Sequence, residues 1–102
     1  MSEPREYTDY EIRELFLLKV KQTVRYWADL PDMECADKVD GCAFSILTLI
    51  DGCTDLPAFS LIARPHPSDK QYHIEEDSNW FPDNVDISGF LHDEYCKLNF
   101  PA

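Results

Sequence analysis

The feature that most constrains this fold is the longest nearly uncharged apolar run in the chain, DKVDGCAFSILTLIDG at residues 37–52. As a strand it would carry apolar side chains on both faces and need a sheet covered on both sides, which so short a chain can hardly provide. As a helix it places nearly all apolar side chains on one broad face, with Phe44 as the exception. That face comprises Val39, Cys42, Ala43, Ile46, Leu47, Leu49 and Ile50. We therefore predict a core helix.

The two ends of this helix also have sequence signals. Asp37 is predicted as the N-cap, and Gly52 as the left-handed residue that stops the helix. Two residues fit the helix poorly. Gly41 costs about 1 kcal/mol in a helix interior, and Asp51 puts a negative charge at the negative end of the helix dipole.

The charge of the chain limits its partners. Twenty acidic and 9 basic residues give a net charge of −11, and residues 71–96 contain seven acids without one Lys or Arg. Nucleic acids and anionic membranes are bound mainly through Lys and Arg. Direct binding to either is therefore disfavoured, whereas a protein with a basic surface is a favourable partner.

Length and composition predict one domain over residues 1–102, with residues 1–6 frayed. The first residues, MSEPREYTDYEIRE, lack the basic start and apolar core of a signal peptide. No apolar run reaches the roughly 20 residues of a membrane span. The four cysteines are accordingly interpreted as reduced thiols, and the expected compartment is the cytoplasm, the host cytoplasm if a phage encodes the chain.

A first helix is predicted at residues 9–29. Thr8 and Glu11 have the spacing of a capping box, and Tyr7 and Ile12 that of a hydrophobic staple. The helix should end before Pro31, because the residue before a proline is pushed out of helical geometry. Its predicted buried stripe consists of Ile12, Phe16, Val20, Val24 and Trp27, widened by Leu15, Leu17 and Ala28.

Alternating apolar and polar residues predict two strands, at 58–64 and 71–76, joined by the turn formers of residues 65–69 into an antiparallel hairpin. After a loop at 77–85, a last helix is predicted at 87–98, capped by Asp86 and ended by residues 99–101. Its inner face would hold Ile87, Phe90, Leu91, Tyr95 and Leu98. The predicted fold is α+β, of order α-α-β-β-α, with three helices packed on one antiparallel β-hairpin.

No catalytic or metal-binding signature stands out, so we expect neither an enzyme nor a cofactor. The cysteines are separated by six, ten and forty-two residues, whereas zinc sites use closely paired ligands. His92 and Cys96 lie four residues apart and share a face of the predicted last helix. A small Cys/His enzyme therefore stays open as an alternative.

The most informative pattern for function is the mixture of acidic and aromatic residues after the predicted hairpin. Trp80 and Phe81 lie in a polar loop, where large apolar rings either plug the core, the favoured reading, or wait for a partner. An exposed ring surrounded by carboxylates suits a basic groove on another protein, and spaced carboxylates can imitate DNA phosphates. The predicted partner-binding residues are Glu75, Glu76, Asp77, Trp80, Phe81, Asp83 and Asp86.

Two segments resemble small uncharacterised proteins carried by phages and prophages. They are AFSIL at 43–47, continuing to DG at 51–52 and LP at 56–57, and DISGFLHDE at 86–94. The resemblance implies no activity, cofactor or catalytic residue. It implies only a context, in which small acidic domains often inhibit host proteins, including defence nucleases such as those of CRISPR systems.

These observations predict a small acidic, non-enzymatic binding protein, monomeric or homodimeric. Its expected role is that of a phage-type inhibitor that covers a basic, nucleic-acid-binding surface of a host or defence protein. The alternative is a homodimeric structural or assembly protein of a phage or prophage.

Overall fold

The computed structural model describes residues 4–98 and contains four helices and one very small sheet. In chain order they are α1 (Asp9–Ala28), α2 (Cys35–Ile50), β1 (Ile62–Ala63), α3 (Asp69–Glu75), β2 (Val85–Asp86) and α4 (Leu91–Lys97). The predicted order α-α-β-β-α with three helices is therefore wrong. The protein is mostly helical, and none of the described helices combines the length and apolar content of a membrane-crossing segment.

The start of α1 confirms the predicted capping box. The Thr8 hydroxyl accepts a hydrogen bond from the backbone N–H of Glu11, and the Glu11 carboxylate accepts one from the backbone N–H of Thr8. Arg5 adds two hydrogen bonds to the same carboxylate, at 2.8 and 2.9 Å. These hydrogen bonds, from Arg5 first and then from Thr8, lower the pKa of Glu11 to about 2.

Thr8→Ala is expected to lower the free energy of unfolding by about 1 kcal/mol, because it leaves the Glu11 N–H without its acceptor. Thr8→Ser keeps the hydroxyl and should lose much less. Urea denaturation of the three proteins at one protein concentration measures the difference. Equal losses for the alanine and serine variants would contradict the role of the hydroxyl.

Helix α2 forms the centre of the molecule, since α1 and α4 both pack against it. It begins at Cys35 with Glu34 as N-cap, so the predicted N-cap Asp37 lies one half-turn inside the helix. It ends at Ile50, and Gly52 has a φ of +80°, the left-handed conformation predicted for the stop. Leu49, 3% exposed, is the single buried hydrophobic residue in the part of the chain described.

The unfavourable Gly41 is explained by a tryptophan from α1. A Cβ built on Gly41 would lie 2.4 Å from Cη2 of Trp27, so only glycine lets the ring cross α2 at this point. The indole Nε1 donates a hydrogen bond to the hydroxyl of Ser45 at 2.9 Å. Trp27 therefore fixes the contact between α1 and α2. Phe16 of α1 also packs edge to face on Phe59, in the segment that follows α2.

The predicted buried stripe of α1 is only partly correct. Ile12, Phe16, Val20 and Trp27 are half-buried, whereas Leu17, Val24 and Ala28 are exposed. The helix thus has a second apolar face that nothing in the described chain covers. In α2 the correction concerns Val39, which is exposed, and Phe44, which is half-buried and packs edge to face on the His92 ring.

The predicted hairpin is wrong in both position and partner. Residues 71–76 lie in α3 and its end, not in a strand, and the other strand shrinks to β1. β1 pairs with β2 in antiparallel register, Ile62 with Asp86 and Ala63 with Val85. Six residues of alternation fit a short helix as well as a strand, and Gln and Glu within the segment favour helix.

Helix α4 begins later than predicted. Gly89 and Phe90 have φ angles of +98° and +57°, so the backbone cannot be helical before Leu91. Asp86 therefore does not cap the helix. Of the predicted inner face, Leu91 and Tyr95 are half-buried, but Ile87, Phe90 and Leu98 are exposed. The predicted end at residues 99–101 lies outside the described residues.

The overall shape is extended and flat. The radius of gyration is 18.1 Å and the principal dimensions are 57 × 45 × 19 Å, whereas a compact chain of this length has a radius of gyration of about 13 Å. The three packed helices form one part of the molecule. The segment from Leu61 to Ile87, called the α3 lobe below, projects from them, because α3 packs on no other described helix or strand.

Candidate functional site

The α3 lobe is closed at its base by a short ladder of hydrogen bonds. Ile87 N–H donates to the carbonyl of Leu61 at 2.9 Å, and Asn84 N–H donates to that of Ala63 at 2.8 Å. The chain between these pairs contains α3 and the loop of residues 77–84. The lobe is therefore a long segment that is closed by hydrogen bonds at its two ends, and most of its residues are exposed to solvent.

The end of α3 carries three of the predicted partner-binding residues. Asp77 has a φ of +55° and stops the helix, and Ser78 N–H returns to the carbonyl of His73 at 2.9 Å. Glu75, Glu76 and Asp77 are all exposed. None of the three forms an ion pair with Lys, Arg or His within residues 4–98. Their charges therefore act on whatever approaches the lobe.

Trp80 and Phe81 do not plug the core, contrary to the favoured interpretation of the sequence. Trp80 is 44% exposed and Phe81 is 74% exposed. Together they line an open groove of 440 Å³ with Asp83, Lys70 and three prolines, Pro65, Pro67 and Pro82, beside His66. The prolines hold the backbone on either side of the groove in fixed geometry. Phe81 consequently presents its ring to solvent on a stiff loop.

Lys70 is a neighbour of the site that the sequence analysis missed. Its Nζ lies 5.4 Å from the centroid of the Trp80 ring, in a cation–π arrangement. It lies one residue before residues 71–96, the stretch with seven acids and no Lys or Arg, so a count over that stretch does not include it. The helical conformation of α3 brings it to the tryptophan. The Trp80 face is therefore partly occupied, and Phe81 is the freer of the two rings.

Asp83 and Asp86 differ in what their carboxylates do. Asp83 is exposed and lies on the groove. Asp86 Oδ1 accepts hydrogen bonds from the N–H groups of Ser88 at 2.9 Å and Leu61 at 3.3 Å. Hydrogen bonds from Ser88 are the largest cause that lowers the pKa of Asp86. Asp86 therefore holds the base of the lobe and, unlike Asp83, does not line the groove.

A second polar cluster joins α2 to α4. The Asp51 side chain, 3% exposed, accepts hydrogen bonds from Leu91 N–H at 3.0 Å, from His92 N–H at 2.8 Å and from Nδ1 of His92. Burial alone would raise the pKa of Asp51, but these hydrogen bonds outweigh it and the pKa lies below its usual value. Asp51 thus caps α4 from the end of α2. This role explains why an acid occupies a position where its charge is unfavourable for the dipole of α2.

The Asp51 and His92 pair does not assemble a catalytic group with a cysteine. Nε2 of His92 lies 3.5 Å from Oδ1 of Asp93, and no hydrogen bond connects His92 with a Cys, Ser or Thr side chain in the described segment. Cys96 is exposed on α4. The arrangement orients an imidazole, which is what a helix cap requires. The sequence signal for this cluster was Asp51 itself.

The remaining ionisable side chains suggest no metal centre. Within residues 4–98, no group of three His, Cys, Asp or Glu side chains is placed to hold a metal ion. All four cysteines are free thiols, with Cys42 half-buried in α2 and the other three exposed. The candidate site is therefore the exposed acidic and aromatic surface of the α3 lobe.

Comparisons with known proteins add no relative to this picture. No family model, no curated protein and no solved structure matches the chain. Its function is therefore argued from its own surface.

Proposed function

We propose that this protein is a non-enzymatic acidic binding protein that covers a basic surface of a protein partner. The observation that carries the proposal is the exposure of Phe81, at 74%, on a groove that it shares with Asp83, in a lobe whose Glu75, Glu76 and Asp77 carboxylates are also exposed. An exposed aromatic ring among mainly acidic side chains is typical of a surface that binds another protein.

The two parts of this surface have separate tasks. The carboxylates raise the rate of encounter with a positively charged partner, since electrostatic steering acts over a Debye length before contact. The aromatic anchor slows dissociation, because a ring buried in a pocket of the partner must be exposed again to leave. Lys70 already contacts one face of Trp80, which leaves Phe81 as the freer ring for the partner.

A basic protein surface of this kind commonly serves to bind nucleic acid. The proposed partner is therefore a nucleic-acid-binding protein, and the acidic lobe would inhibit it by standing where phosphates bind. The resemblance to small phage and prophage proteins agrees with such a role in a host or against a defence protein. The same charge, −11 for the chain, disfavours direct contact with nucleic acid.

Reversing three carboxylates of the lobe is expected to abolish most of the rate advantage. In the variant with Glu75, Glu76 and Asp77 all changed to lysine, association with the partner should slow by about tenfold or more at low salt. The salt dependence of the association rate should flatten as well. The partner is first captured from host lysate at low and moderate salt, and the rates are then measured by stopped-flow or surface binding with the purified proteins.

The matched control reverses three exposed acids away from the lobe, Glu6, Asp29 and Glu34. Both variants change the net charge from −11 to −5, since each reversal adds two. Only the lobe variant should lose the rate, and excess duplex DNA should compete with the wild-type protein for the partner. Phe81→Ala, at unchanged charge, should speed dissociation. Equal rates in the two charge variants, or binding indifferent to DNA, would sink the proposal.

A further inference from the structure

Helix α1 has a second apolar face, adjacent to the one that packs on α2, with the half-buried Val20 at the border between the two. This outer face consists of Tyr10, Leu17, Val20, Val24 and Ala28. From Leu17 onward the spacing is three, four and four residues, which places these side chains in one line along the helix. Leu17 is 53% exposed and Val24 is 49% exposed. The line is the kind of seam along which one helix packs on another.

No part of the described chain encloses the outer face. The groove along it, of 490 Å³, is lined by α1 alone, through Val20, Lys21, Val24, Arg25 and Ala28. Within residues 4–98, no second element closes the other side of this groove.

The charges of α1 suit a second copy. The helix holds four of the nine basic residues, and with three acids it has a net charge of +1 in a chain of −11. Its outer face is therefore where a second copy meets the least repulsion. Glu14, Lys21 and Arg25 lie along one edge of that face, with the acid about two to three turns before the two bases.

We propose that two copies of this chain form a symmetric dimer by packing the outer faces of their α1 helices antiparallel. With Leu17 of each copy opposite Val20 of the other, Glu14 of each copy falls within a helical turn of Lys21 and Arg25 of the other. The two-fold axis makes both sets of contacts twice. A self-complementary edge of this kind selects the antiparallel pairing of identical helices.

This dimer leaves the α3 lobe out of the interface, so it stands independently of the proposed function. If both hold, one dimer carries two acidic lobes. A partner with two basic sites would then be bound more tightly than one lobe allows, through a raised effective concentration.

Sedimentation of the full chain over a wide range of concentrations tests the dimer. The wild-type protein should sediment at twice 11.9 kDa and dissociate on dilution. Leu17→Lys, at an exposed position, should be monomeric at concentrations where the wild type is dimeric. Arg64→Glu on the α3 lobe is the control and should stay dimeric. A wild-type monomer at every concentration, or a dimeric Leu17→Lys variant, overturns the proposal.

A charge exchange tests the antiparallel register. Glu14→Lys alone should weaken the dimer about tenfold, because two attractive edges become repulsive. Adding Lys21→Glu to the same chain should restore part of the affinity. Both side chains are exposed, so folding is retained and circular dichroism checks it. A dimer that neither the single nor the double exchange affects would pack by some other face, and the proposal would fail.

Discussion

Asp51→Ala is expected to lower the free energy of unfolding by about 3 kcal/mol. The carboxylate is almost fully buried and accepts three hydrogen bonds, two from backbone N–H groups of α4 and one from the His92 ring. Its removal leaves these donors without an acceptor and takes away the N-terminal cap of α4. Because α4 packs on α2 alone among the described elements, the helix should also loosen locally.

Urea denaturation measures the loss, and hydrogen exchange at the amides of Leu91 and His92 locates it. Asp51→Asn keeps one acceptor oxygen and should lose about half as much. Asp83→Ala removes an exposed carboxylate of the α3 lobe and should change stability by less than about 0.5 kcal/mol. If Asp51→Ala and Asp83→Ala cost the same, Asp51 does not join α2 to α4.

The same carboxylate predicts the direction of the pH dependence. The folded-state pKa of Asp51 lies below its usual value, with the cost of burial outweighed by the hydrogen bonds from His92 and Leu91. Its contribution to stability is therefore fully present above the unfolded pKa of about 4. It is lost as the pH falls through the folded pKa. Unfolding measured against pH should show a shallower acid slope in Asp51→Asn than in the wild type.

Gly41→Ala is expected to destabilise the protein by about 2 kcal/mol, although alanine is the better helix former by about 1 kcal/mol. The new Cβ would lie 2.4 Å from Trp27 Cη2. The indole cannot simply turn away, because its Nε1 donates a hydrogen bond to Ser45. Either the two helices separate or that hydrogen bond breaks. Each outcome costs more free energy than the higher helix propensity of alanine contributes.

A double-mutant cycle isolates the steric effect. In a Trp27→Leu background the obstacle is gone, so Gly41→Ala should become neutral or stabilising, by up to about 1 kcal/mol. The change of sign is the diagnostic result, and urea denaturation of the four proteins measures it. A Gly41→Ala variant more stable than the wild type would show that the indole does not need the glycine.

The parts of the fold that follow local rules were predictable from the sequence. The capping box at Thr8 needs only residues three apart, and the stop at Gly52 needs only a residue that tolerates positive φ. The two residues that violated local rules, Gly41 and Asp51, mark the contacts of α2 with α1 and α4. A local violation in a core helix was thus the signal of a tertiary contact, although the sequence did not name the partner.

The predictions that failed depended on distant partners. The segment 71–76 alternates as a strand does, but its potential strand partner pairs with β2 instead. Leu17, Val24 and Ala28 were assigned to one buried stripe because a sequence cannot show that α1 has two apolar faces. At the site, Trp80, Phe81 and Asp83 line one groove and Glu75, Glu76 and Asp77 are exposed at the end of α3, whereas Asp86 has a structural role. Lys70 was missed because the helix that positions it was not predicted.

The closed base of the α3 lobe has a consequence for how such a chain can change. Leu61 and Ile87 lie side by side, so the three helices require only that the ends of the intervening chain meet. The free-energy cost of closing a loop rises slowly with its length, by about 0.6 kcal/mol for each doubling. The length and sequence of the lobe can therefore change while the packing of α1, α2 and α4 stays the same. If the proposed function holds, insertions, deletions and reversals of charge between residues 64 and 83 would redirect the protein to a new target while α1, α2 and α4 keep their sequence.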